Sequence, residues 1–170
     1  MINFMYYKLI DFVKDWKSES ESTLKIFSAL TNDSLSQSVT PGGRNIGRLA
    51  WHITTSIGEM LTRTGLNTSC PKESDPVPQK SEEIKSVYKK AAQSVIDEVT
   101  GKWNDNSLLN ETEMYGEVWK NGTTLTALIN HQIHHRAQIT VLMRQAGLKV
   151  PGIYGPSKEE WSAYGMQPMP

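Results

Sequence analysis

Four stretches of this chain return to an apolar residue every three or four positions, and the segments between them are crowded with proline and glycine. This combination restricts the fold more than any other feature. A helical period buries one face of a helix, and helix breakers decide where the chain turns. The first stretch runs from about Tyr6 to Leu30, with Leu9, Phe12, Val13, Trp16, Leu24, Phe27 and Leu30 on its stripe. A Ser-, Asn- and Thr-rich loop follows from Thr31 to Gly43. The second stretch opens at about Asn45, a residue type suited to capping, carries Ile46, Leu49, Ile53, Ile57 and Met60, and reaches Thr64, where Gly65 offers a stop. Pro71, Pro76 and Pro78 exclude regular structure between Asn67 and Gln79. The third stretch begins near Ser81, whose hydroxyl is a capping group, with Glu82 and Glu83 at the positive end of the dipole, and ends at Gly101. The fourth starts at Thr123 or Thr124 and runs to Ala146, ahead of Gly147 and Pro151.

Two segments fit no helix. Lys102 to Gly122 reads as a long loop; within it Glu113 to Trp119 is glycine-broken and partly alternating, consistent with an extended excursion or a short hairpin. Pro151 to Pro170 is a non-helical tail whose Tyr154, Trp161 and Tyr164 suggest that it packs on the rest. The predicted architecture is therefore all-α: one four-helix-bundle domain over 1–170, with a long loop before the fourth helix and an irregular tail over 151–170.

Bulk composition narrows the partners. The chain holds 18 basic and 18 acidic residues, so no global field draws it to nucleic acid or to an anionic membrane. Lys8, Asp11, Lys14 and Asp15 interrupt the apolar N-terminal residues long before secretory or membrane-spanning length. Cys70 is the single cysteine, which excludes an internal disulfide and a thiolate metal cluster. A cytoplasmic protein is expected, with Cys70 a non-catalytic surface thiol and with no nucleic-acid or membrane partner.

Against that background the histidines stand out. Three of the four fall in the run His131-Gln132-Ile133-His134-His135 of the fourth helical stretch. Residues four apart lie one above the other on a helix, so His131 and His135 can aim at one ion while His134 points elsewhere. His52, beside the apolar stripe of the second stretch, would make a third ligand and leave coordination positions open. Ordinary half-buried, hydrogen-bonded histidines account for the same residues, and local spacing does not choose between the two. Gln132 and Arg136 fall on the buried sector of the same helix, where they need partners across the bundle.

The segment from His131 to Gln138, H-Q-I-H-H-R-A-Q, resembles the C-terminal signature of the DinB/YfiT-like superfamily, H-x-x-x-H followed by R-G-Q, with Ala137 in place of the glycine. The segment R-L-A-W-H ending at His52 resembles that family's first ligand, and the tail from Val150 to Trp161 resembles one of its branches. The resemblance covers nearly the whole chain in spacing. It implies an up-down-down-up bundle, frequent homodimers, and a divalent metal such as zinc or nickel held by His52, His131 and His135. It further implies a small-molecule substrate, with thiol-dependent transferases and isomerases among the characterised relatives.

A metal with three neutral ligands keeps its charge and can acidify a thiol or a water. Hydrolysis needs a base as well, and Glu59 is the nearest carboxylate in sequence, although a solvated helix carboxylate explains it equally. Transfer from a thiol needs no protein base. A non-catalytic metal- or small-molecule-binding role would use the same ligands. Coordination requires neutral imidazole, so affinity is expected to fall below the ordinary histidine pKa of about 6.5. Arg44, Arg48 and Arg136 are candidates for an anionic substrate, and Tyr115, Trp119, Tyr154 and Trp161 for the walls of a pocket formed by the 102–122 loop and the tail.

Overall fold

A computed structural model describes residues 5–167. Four helices make up the bundle: α1 (Leu9–Ser28), α2 (Ile46–Arg63), α3 (Ser81–Lys102) and α4 (Asn121–Gln145). The apolar stripes meet in one core that includes Phe12, Trp16, Phe27, Ile53, Ile57, Tyr88, Leu128 and Ile139. Burial of this kind is the main favourable term in holding such helices together.

Hydrogen bonds between the helix ends give the direction of each helix. Tyr6 N–H donates to Gly122 O at 3.3 Å, and Lys25 Nζ donates to Gly152 O at 2.7 Å, so α1 and α4 run parallel. Leu9 N–H donates to Asp105 Oδ1 at 2.9 Å, which sets the start of α1 beside the end of α3. Asn67 N–H reaches Glu98 at 2.7 Å and Ser81 N–H reaches Asn32 Oδ1 at 2.9 Å, so α2 and α3 are parallel as well. The order is up-down-down-up, and it has a structural cost. A chain leaving the end of α2 must return along the whole bundle before α3 can begin, and the proline-rich connector makes that return. Three prolines leave it extended and unable to compete for a helical position.

Two helix starts, those of α1 and α4, depart from their sequence-based limits, and groups from elsewhere in the chain hold the starts of α1, α3 and α4. The first helix begins at Leu9, not Tyr6, where Asp105 accepts the free N–H and pairs with Lys8 at 2.9 Å. Asn45 caps α2 as expected, its side chain accepting Arg48 N–H at 2.8 Å. Ser81 does not cap α3. Lys80 holds the cap position without a side-chain bond, and Asn32 takes the Ser81 N–H. The fourth helix starts at Asn121, buried, whose amide donates to Ser107 O and whose Oδ1 accepts from Thr112.

The 102–122 segment is not an open loop. It forms a 3-10 turn (Asp105–Leu109) and an antiparallel hairpin, β1 (Glu111–Met114) and β2 (Glu117–Lys120), with Glu111 opposite Lys120. The two-residue turn is Tyr115-Gly116, with φ 55° and 83°. Positive φ at both positions is the type I′ geometry that matches strand twist. Asparagine or aspartate usually fills the first position, and tyrosine there hides the signal. The Tyr115 ring contacts the Arg63 guanidinium, 5.1 Å from its centroid, and the Trp119 ring at 5.8 Å, which offsets the unfavourable backbone conformation.

A polar cluster joins α1, α3, α4 and the tail, buried except for Tyr154, which is 72% exposed. Arg136, 3% exposed, donates to Glu19 Oε2 at 2.6 Å, to Glu19 O at 2.9 Å and to the Tyr154 hydroxyl at 2.6 Å. Tyr154 donates in turn to the Glu19 carboxylate. Gln132, fully buried, accepts from Tyr88 at 2.7 Å. These contacts supply Arg136 and the Gln132 oxygen with cross-bundle partners, while Gln132 Nε2 is buried without one. Arg136 is therefore a structural residue and not an anion receptor.

Candidate metal centre

His52 comes from the N-terminal half of α2, and His131 and His135 from successive turns of α4. The antiparallel contact between these helices sets the three rings against one another, with centroid separations of 4.9 Å (His52–His131), 4.8 Å (His52–His135) and 4.4 Å (His131–His135). One ring nitrogen from each can be chosen so that all three lie within 4.8 Å of one another. His52 Nε2 and His131 Nε2 are 3.2 Å apart. Two nitrogens bound at about 2.0–2.1 Å to a tetrahedral ion stand about 3.3 Å apart, so the spacing fits a shared ion. His134 is exposed and lies outside this group, as helix phase predicts.

The opposite ring nitrogens show how the rings are oriented. His135 Nδ1 is 2.7 Å from Gln138 Oε1, and with that oxygen as acceptor Nδ1 carries the proton and Nε2 keeps its lone pair. The Gln138 amide nitrogen is 3.1 Å from His134 Nε2, which agrees with that assignment. His52 Nδ1 faces Glu73 Oε2 at 3.6 Å, too long for a hydrogen bond but within ion-pair range. The carboxylate favours the Nδ1–H tautomer and frees Nε2 to coordinate. His131 Nδ1 is buried without a hydrogen-bond partner, which leaves its Nε2 as the polar outlet of that ring.

Glu73 is the residue that spacing missed. It lies in the proline-rich connector and returns to α2 only because that connector runs back along the bundle. Thr55 Oγ1 and Arg48 Nη2 both donate to it. Partial burial opposes its ionisation, but the Thr55 hydroxyl, Arg48 and His52 together hold its carboxyl below the usual range. The only hint in sequence was an acidic residue in a segment long enough to cross the site. Glu59 lies about two turns beyond His52 on α2 and is exposed; its charge helps to raise the pKa of the Tyr115 hydroxyl, after burial.

The electrostatics suit neutral imidazoles. Burial, then the neighbouring His135, His52 and His134 and the Arg44 guanidinium, push His131 down to about 4. Burial also lowers His135, against the opposing effect of its Gln138 bond, with His52, His134 and Arg44 adding to the depression. Neutral nitrogens are what a cation requires.

The remaining candidates are dispersed. Arg48 is paired with Glu73. Tyr115 and Trp119 belong to the hairpin beside Arg63, roughly 16 Å along α2 from His52 at the helical rise. Tyr154 closes the Glu19–Arg136 pair, and Trp161 donates to Pro156 O inside the tail. Cys70 is half-buried and not a surface thiol; a Cβ on Gly58 would come within 2.7 Å of its own Cβ, and burial raises its thiol pKa.

A four-helix bundle with three converging histidines on α2 and α4 defines the class of protein. A family model described as the DinB family matches residues 1–168, and the chain belongs to that family. It is similar to the uncharacterized protein YrdA of Bacillus subtilis (strain 168), 41% identical over 163 residues, which cover 96% of this chain and 98% of that protein. Among solved structures it is similar to a DinB-like protein from Bacillus cereus ATCC 10987, with a TM-score of 0.85 and 42% identity over 88% of this chain and 100% of that one. A DinB-like protein of Bacillus subtilis, YjoA, shares the fold alone, with a TM-score of 0.66 and 17% identity over 84% of this chain and 97% of that one.

Proposed function

We propose that this protein is a divalent-metal-dependent enzyme that activates a low-molecular-weight thiol for transfer to an electrophilic small molecule. The carrying observation is the trio His52, His131 and His135, with two of its Nε2 atoms at metal-bridging distance and two of its Nδ1 atoms turned to Gln138 and Glu73. The donor set is all nitrogen, suited to zinc or nickel. A bound ion there supplies a Lewis acid that makes a thiol or a water more acidic.

The chain's own groups favour a thiol over water as the nucleophile. Hydrolysis calls for a base within reach, but Glu73 is held by Thr55 and Arg48, and Glu59 lies exposed about two turns along α2 from His52. A thiol loses its proton to solvent without a protein base. In the overall reaction the sulfur–carbon bond forms, the leaving group departs with its electron pair, and the thiol proton ends in solvent. No helix among the described residues is long and apolar enough to cross a membrane. A cytoplasmic homodimer is part of the proposal.

The test begins with elemental analysis of protein prepared without added metal. Zinc- and nickel-loaded protein is then assayed against a panel of small thiols with an aromatic chloride as electrophile. Metal-dependent thioether formation that disappears in His131→Ala supports the reading. Stoichiometric metal with no turnover of any pair would make this a binding protein instead.

A further inference from the structure

Beside the histidines, a groove of about 350 Å³ runs between α4 and the loop that precedes α2. Val39, Leu49, Val141 and Leu142 form its apolar lining, and Gln138 and Arg44 its polar part. Gln138 is the same residue that accepts from His135 Nδ1, so the groove adjoins the outer side of the histidine trio. Val39 is 68% exposed and Val141 53% exposed, an uncovered pair of apolar side chains on facing segments. The volume lies at the small end of ligand pockets.

Arg44 supplies the second, independent observation. Arg136 is paired with Glu19, Arg48 with Glu73, and Arg144 with Glu159. Arg44 has no ion pair among the described residues. It lines the groove together with Gln138, the residue bonded to His135 Nδ1. An unpaired guanidinium beside an apolar groove is complementary to a ligand with one anionic group and a hydrocarbon body.

We propose that the electrophile is a small apolar carboxylic acid that carries a leaving group on its hydrocarbon body, the body lying along Val39, Leu49, Val141 and Leu142 and the carboxylate on Arg44; the thiol sulfur bonds to the carbon that the leaving group quits with its electron pair, and the thiol proton goes to solvent. This rests on the metal-dependent reading above for the reaction, while the binding itself depends on the groove alone. Selectivity then comes from the segment before α2 and from one face of α4, and not from the hairpin or the tail.

Octanoate is the probe, with octanol lacking the charge and acetate lacking the chain. Calorimetric titration into metal-free protein reads the groove without the metal. Octanoate is expected to saturate one site, acetate to show no binding, and octanol to bind more weakly. Arg44→Gln is expected to weaken octanoate by about threefold or more, as for an exposed ion pair, and to leave octanol unchanged. Val141→Glu is expected to abolish both. Both positions are exposed, and melting temperatures close to that of the parent show that the bundle is intact. Equal affinity for octanoate and octanol, or an Arg44→Gln variant that binds octanoate like the parent, would overturn the proposal. So would a Val141→Glu variant that converts a dimer to a monomer, because the groove face would then belong to a second copy. If octanoate binds as expected but the protein takes up no metal, the groove stands and the metal-dependent reaction fails. The reverse result removes only the groove.

Discussion

Glu73 Oε2 lies 3.6 Å from His52 Nδ1, although one residue sits in a proline-rich connector and the other in the middle of a helix. The contact exists because α2 and α3 are parallel. The connector must pass the full length of α2, and in doing so it brings a carboxylate to the outer nitrogen of a histidine. Thr55 and Arg48 then anchor that carboxylate from α2 itself.

Replacement of Glu73 by glutamine is therefore expected to weaken metal binding by about 10- to 100-fold, the usual effect of losing an outer partner of a ligating histidine. Competition against a chromophoric chelator measures it. The melting temperature of the metal-free variant should change little, since Glu73 is 43% exposed. Parental affinity in the variant would show that His52 is oriented by packing alone.

His52→Ala, His131→Ala and His135→Ala should each lose bound metal on dialysis, whereas His134→Ala should keep it. The contrast is diagnostic because His134 lies next to His135 in sequence and differs only in helix phase. Elemental analysis of the four proteins side by side decides it. Metal retained in all four would place the ion elsewhere.

Acid should act on the metal-free protein through His131, which titrates near 4 when folded and near its ordinary 6.5 when unfolded. Between these values the unfolded chain binds more protons, so stability falls as pH drops from about 6.5 toward about 4. His135 is lowered in the same direction. Thermal melting across that window should show a declining midpoint, and His131→Gln should flatten the decline. For the same reason protons compete poorly with metal, and occupancy should persist below the pH at which an ordinary imidazole would release it.

Arg136→Met leaves the Glu19 carboxylate buried without its cation, and breaking a buried pair of this kind costs about 3–5 kcal/mol. The double variant Glu19→Leu with Arg136→Met should recover much of that loss. Tyr154→Phe, which removes one hydroxyl from the cluster, should cost about 1 kcal/mol. Denaturant titration gives all three values. A metal content unchanged in Tyr154→Phe would separate the tail cluster from the histidine site.

Much of the candidate site was legible before any fold was known, and the reason is local. His131 and His135 are one helical turn apart, so their convergence depends on α4 being a helix, which its apolar period and terminal glycine already indicate. The hairpin was less legible because tyrosine takes a turn position that asparagine usually marks. Arg136 and Gln132 were recognised as misplaced on a buried face, but their partners Glu19 and Tyr88 lie on other helices.

Sequence by itself determined four helices, their approximate limits, the histidine pair on one of them, and the extended state of the connector. Each of these follows from spacings of a few residues, over which backbone geometry is nearly fixed. Tertiary structure alone decided that His52 meets that pair, that Glu73 and not Glu59 stands beside it, and that Asp105, Asn32 and Asn121 settle the ends of three helices. Those contacts join segments whose separation in sequence carries no period. They come into being only when the helices choose neighbours and directions to bury their apolar faces.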